Sequence, residues 1–160
     1  MKRIPLLPRY FRWLGCILII VSISIFLNDF YLPLTKYEFT DLTIRTFVIV
    51  DNTPRDGGPV YFGVSDVNLG FTLIVLGALL GLCGIAFSRK TVEDEFVNSL
   101  RLFAWSWAII LSILYAIVAN LFVFGTQYLT LMVLFPHFLL TLFILIFNIR
   151  WWQSSNRREQ

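Results

Sequence analysis

Few residues in this 160-residue chain have the type and spacing to do chemistry. Its single histidine, His137, follows Pro136 in a long apolar run that also holds Tyr115 and Asn120. A polar side chain in hydrocarbon is costly and is by default a functional candidate. An imidazole there can relay a proton, ligate haem or bond across a helix interface. If the run folds back between Thr126 and Gln127, His137 falls level with Ala116, beside Tyr115 and one turn from Asn120. The expectation is a Tyr115–His137 hydrogen bond, joined by Asn120, holding two helices together. Glu93-Asp94-Glu95 place three carboxylates in a row. They point around a helix in steps of about 100° and do not converge on one ion. Helix capping and a partner-facing surface suit them better, and with Asn98 and Arg101 they form the candidate partner-binding set. Cys16 and Cys83 lack C-x-x-C spacing and read as structural. There is no Walker loop, no H-E-x-x-H and no Ser-His-Asp arrangement. No acidic residue lies deep in an apolar run, which argues against a proton-coupled exporter. No catalytic residue, cofactor or metal site is expected, and the chain reads as a non-enzyme.

The elements that position these residues follow from composition. Hydrophobic residues make up 58% of the chain and charged residues 14%, against about 25% charged in ordinary domains. Such a balance excludes disorder, and two cysteines exclude a disulfide scaffold. Uncharged runs cover 13–28, 67–88 and 102–149. The last is too long for one helix and suits two broken at Gly125-Thr126-Gln127. Spans are expected at about 11–32, 67–87, 102–124 and 129–149, the first as an uncleaved signal anchor. The fold class is therefore all-α: a four-helix membrane bundle with a small external β-hairpin. Ten Lys/Arg flank one side of these spans and three the other. The positive-inside rule then places both termini and residues 88–101 in the cytoplasm. The basic residues form no single stripe, so no nucleic-acid partner is expected.

The external segment, 33–66, is too short for its own core. Asp41–Val50 alternates, with Leu42, Ile44, Val48 and Val50 on one side and Thr43, Arg45, Phe47 and Ile49 on the other. A second strand over 60–64 follows the turn-rich 51–59, and Ser65 or Asp66 is expected to cap the next span. On the other side, 88–101 reads as a short interfacial helix feeding directly into span three. Thr91 is its N-cap, and Glu93, Asp94 and Glu95 favour the positive end of its dipole.

Phe87, Ser88, Arg89, Val92, Glu93, Asp94, Glu95, Arg101, Leu102 and Trp107 match the pattern F-S-K/R-x-x-V/I-E-D-E, an apolar pair, R-L and an early tryptophan. In this the chain resembles an uncharacterised family of small Bacteroidota inner-membrane proteins, over about residues 69–149. The resemblance implies four spans in the inner membrane and brings no activity and no catalytic residue.

Small residues predict tight packing. Gly70, Gly77, Gly81 and Gly84 line span two, with Gly77 and Gly81 in G-x-x-x-G spacing. They suit either packing within the chain or a homo-oligomer through span two. Ala104, Ala108, Ser112, Ala116 and Asn120 recur every four residues in span three. Besides the bilayer, the expected partner is a cytoplasmic protein recognising 88–101. The expected function is that of a regulatory or accessory interaction protein. The alternative is an oligomeric channel or transporter using the polar residues of spans three and four.

Overall fold

A computed structural model describes residues 6–30, 42–51, 60–90 and 95–156. The order is α1 (Tyr10–Phe30), β1 (Thr43–Asp51), β2 (Val60–Asn68), α2 (Gly70–Ala86), α3 (Glu95–Phe122) and α4 (Thr126–Asn156). Three helices, over Tyr10–Asp29, Glu95–Phe122 and Gln127–Ser154, are long and apolar enough to cross a membrane. The expected span at 67–87 is not among them. α2 has 17 residues, or about 25 Å at 1.5 Å per residue, against a hydrocarbon layer of about 30 Å. The shortfall arises because residues 67–68 belong to β2. The two expected cytoplasmic-side boundaries also move. The helix expected to lead from 88–101 into span three is continuous with that span from Glu95 onward, as α3, while Thr91, Glu93 and Asp94 lie outside the described residues. α4 continues to Asn156, beyond the expected end at 149.

The chain divides into two compact units. In the first, Met1–Ile19 with Ala78–Gln160, the core is Ala86, Val97, Ala104, Ala108, Leu140, Phe143 and Phe147. Small residues on α3 let large α4 rings close in, and Trp105 stacks on Phe143 with centroids 4.4 Å apart. Around this core the helices expose Trp13, Ile17, Leu80, Leu102, Ile113, Leu121 and Leu129, an apolar coat that water would not tolerate and lipid would.

Of the four-residue ridge, Ala104, Ala108 and Ser112 are buried, Ala116 is half-buried and Asn120 is exposed. A step of four residues turns a helix about 400°, so each step precesses about 40°. Four steps carry the ridge off the interface, and Ala119 replaces it as the buried residue. Gly125 reverses the chain between α3 and α4 with φ +75°, a conformation that favours glycine.

Gly15 of α1 meets Gly81 and Gly84 of α2 with almost no gap. A Cβ on Gly81 would stand 2.8 Å from the Gly15 carbonyl oxygen, and one on Gly84 would stand 2.9 Å from that of Phe11. The small face of α2 is thus filled by α1 of the same chain. Gly15 itself is a packing residue that the sequence reading passed over.

In the second unit, Ile20–Gly77, β1 and β2 pair antiparallel from Thr43↔Asn68 to Asp51↔Val60. β2 is longer than expected, so its end residue rather than Ser65 or Asp66 caps α2: Asn68 Oδ1 accepts the Gly70 N–H at 3.0 Å. The ladder skips Ile49 and Phe62, and Phe62 has φ +48°, an outlier for a bulky residue. A sharp bend in β2 accounts for both. It brings Val60 Cγ1 to 2.8 Å from where a Gly63 Cβ would be. It also lets the Ser65 hydroxyl donate to Asp51 at 2.5 Å. Gly77 faces the Ser22 hydroxyl, 2.7 Å from its virtual Cβ.

These contacts predict unequal alanine costs. Gly84→Ala drives a methyl into backbone and should lower stability by about 1–3 kcal/mol. Gly77→Ala meets a hydroxyl that can rotate away and should cost less. Thermal unfolding of the two variants in detergent checks the order; equal costs would contradict it.

Candidate functional site

The most organised polar group lies where α2 ends. The Ser88 hydroxyl donates to the Ile85 carbonyl at 2.9 Å, covering one of the carbonyls that a helix end leaves open. The extended N-terminal stretch then pairs with the connector. Leu7 N–H donates to Phe87 O at 2.9 Å, and Arg89 N–H donates to Leu7 O at 3.0 Å. Ser88 is buried, and its carbonyl oxygen accepts a bond from Arg101 Nη2 at 3.1 Å. Arg101 sits two turns into α3 and is only 5% exposed. Its guanidinium lies 5.5 Å from the Phe147 ring centroid. The Lys90 ammonium stands 5.2 Å from Phe147 and 5.4 Å from Trp151, within cation–π range.

Arg12, Lys90 and Arg101 line one cleft, walled by Phe143 and Phe147, with a volume of about 20 Å³, room for one water-sized group. Burial pushes the Lys90 ammonium below its ordinary value of 10.5, and the charges of Arg12 and Arg101 push it the same way. Among the described residues no group of three His, Cys, Asp or Glu side chains is placed to hold a metal ion. The cleft concentrates positive charge against an aromatic wall.

The expected site residues separate. Glu95 is exposed, Asn98 is half-buried and Arg101 is turned inward, so Arg101 belongs to the cleft and not to the outer face. The expected Tyr115–His137 bond is not formed. The Tyr115 hydroxyl donates to the Leu131 carbonyl at 3.5 Å, and its ring packs on Phe138 with centroids 4.6 Å apart. Asn120 is held elsewhere, donating to Ala116 O at 2.8 Å and accepting from the Tyr128 hydroxyl at 2.9 Å. His137 takes part through its carbonyl, which accepts the Thr141 hydroxyl at 2.7 Å. Ser112 is buried, and its hydroxyl has no hydrogen bond among the described residues. Sequence reasoning missed Arg12 and Lys90 as site residues, counting them only among the basic residues that set orientation. The available clue was Phe147 and Trp151, one helical turn apart, which offer two ring faces on one side of α4.

Lys90 yields a pH prediction. Its folded pKa is lowered, so between that value and 10.5 the unfolded chain binds more protons and stability rises with pH. Below this window the charged lysine carries its full penalty, and above it none. The advantage of Lys90→Met over the parent in thermal unfolding should therefore be largest near neutral pH and shrink as pH rises through the window. An advantage that stays constant with pH would sink this account.

Comparison of the chain with protein-family models, curated proteins and solved structures returns no match.

Proposed function

We propose that the chain is a non-enzymatic accessory protein of the bacterial inner membrane that presents a small polar platform to a cytoplasmic protein partner. Helix length is the observation that carries this reading. α3 has 28 residues and α4 has 31, about 42 and 46 Å, against a hydrocarbon layer of about 30 Å. The uncharged stretch begins at Leu102 and ends at Ile149. About two turns of each helix therefore stand clear of hydrocarbon. They do so at one end, where Arg101 meets Phe147 and Arg150 lies 4.6 Å from the Phe103 ring. Glu95 and Ser99 face outward there and Asn98 partly so.

The excess of Lys and Arg at this end supports a cytoplasmic placement. Four passes suit the connectivity. The start of α1 is bridged to the end of α2, so the two helices run in opposite directions. α2 completes its crossing by local thinning of the bilayer, at a cost of fractions of a kcal/mol per Å. The resemblance carried by residues 87–107 agrees with four inner-membrane passes.

The test is photo-crosslinking in cells from residues replacing Glu95 or Ser99, with lipid-facing Ile113 as control. A discrete protein adduct from 95 and 99, absent from 113 and lost on Asn98→Lys, is the expected result. No adduct, or the same adduct from 113, would remove the reading. Orientation is checked with Ser99→Cys in a chain lacking Cys16 and Cys83. An impermeant thiol reagent should label it only after the membrane is opened.

A further inference from the structure

We propose that the outward-facing arginines Arg12, Arg89 and Arg150 form a rim that binds anionic lipid headgroups in preference to zwitterionic ones. This shares with the preceding reading the placement of this end of the helices at a membrane surface, and it needs no protein partner.

The basic residues at this end differ in where they point. Arg101 and Lys90 are held over the Phe147 ring, whereas Arg12, Arg89 and Arg150 are exposed. The exposed three are spread around the end. Arg12 is in the first turn of α1 and shares a cleft with Asn148 of α4. Arg89 follows the end of α2, its main-chain N–H held by the Leu7 carbonyl. Arg150 is on α4, its guanidinium 4.6 Å from the Phe103 ring of α3. Such a ring addresses several headgroups rather than one ion. Each arginine also comes with an outward-facing aromatic side chain: Trp13 beside Arg12, Phe87 two residues before Arg89 and Trp152 two residues after Arg150. Trp13 is 75% exposed and Trp152 66%. Water penalises such exposure, while the headgroup layer favours it, because an indole pairs an apolar body with a polar N–H. An arginine at the same level lays its methylenes along that layer and lifts its guanidinium to the phosphates, whose oxygens match its planar fork. The apolar coat continues from the rim along the helices, through Ile17 of α1 and Leu145 of α4. A protein docked around this rim would have to displace lipid, and a second copy would set like charge against like. The chain's own carboxylates do not exhaust the charge. Segments 1–12, 88–101 and 150–160 carry ten basic and four acidic residues, so pairing every acid still leaves an excess of six.

The test reconstitutes the full chain in phosphatidylcholine vesicles. Electron paramagnetic resonance then measures how much spin-labelled phosphatidylglycerol, or phosphatidylcholine with the same labelled chain, is motionally restricted at the protein surface. Phosphatidylglycerol should be restricted in excess. At an arginine's position the preference should be about fivefold, the equivalent of about 1 kcal/mol per basic residue near an anionic surface. The excess should shrink as salt rises, because exposed charges are screened. Arg12→Gln, Arg89→Gln and Arg150→Gln should each remove part of it, and the three together most of it. Their side chains are exposed and the Arg89 bonds to Leu7 are made by the main chain, so these variants retain the contacts that hold the corner. Arg45→Gln, opposite Asp66 in the hairpin, should leave the excess unchanged. Equal restriction of the two lipids, or a triple variant that matches the parent, overturns the proposal. The measurement is made on the purified chain, so a missing lipid preference leaves crosslinking from 95 and 99 standing, and missing adducts leave the lipid preference standing.

Discussion

A buried arginine two turns into a helix has to find hydrogen-bond acceptors or remain a buried charge that costs several kcal/mol. Arg101 finds one in the Ser88 carbonyl, and that bond joins α3 to the connector that leaves α2. Much of the arrangement follows. Holding Ser88 in place exposes the backbone on either side of it to Leu7, which tethers the N-terminal stretch. The guanidinium plane settles over Phe147 and draws α4 into the same corner. One side chain thus sets where four segments meet. The aromatic series continuing from Phe87 through Trp105 to Phe143 and Phe147 supplies the apolar contact around it.

What the sequence revealed and what it concealed divide along a physical line. Features set by local pattern were legible. The apolar runs located the long helices, alternation located the hairpin, and the fold-back near Thr126 put Tyr115 level with Phe138, where their rings meet. Features set by a choice among partners were not. Tyr115 has one hydroxyl proton, and both His137 and the main-chain carbonyls of α4 were available to it. The carbonyl of Leu131 took it. Asn120 found Tyr128 because a short turn brings them together, and counting by fours along α3 hid the slow rotation that moved Asn120 off the interface.

The same line runs through the site. Charge sorting along the chain identified the basic end, since it depends only on which residues flank apolar runs. It could not identify which basic residues are exposed stop signals and which are drawn inward, because that depends on the small side chains of α2 and α3. Ala86 and Ala104 leave the space that Arg101 and Trp105 occupy. The charge count of an isolated segment therefore says where a polar surface lies, and only its neighbours say which side chains remain on it.

The unequal connections also bear on the order of assembly. Only residues 123–125 separate α3 from α4, whereas 31–69 lie between α1 and α2. Loop-closure entropy rises by about 0.6 kcal/mol per doubling of length, which makes the longer closure costlier by about 2 kcal/mol. The α3–α4 hairpin is the pair that can close early, from contacts local in sequence. The glycine seam of α1 and α2 forms only after a long segment has been brought round. The Leu7 bonds to Phe87 and Arg89 span that same long segment and close with the seam, whereas the Arg101–Ser88 bond joins residues 13 apart and can close early.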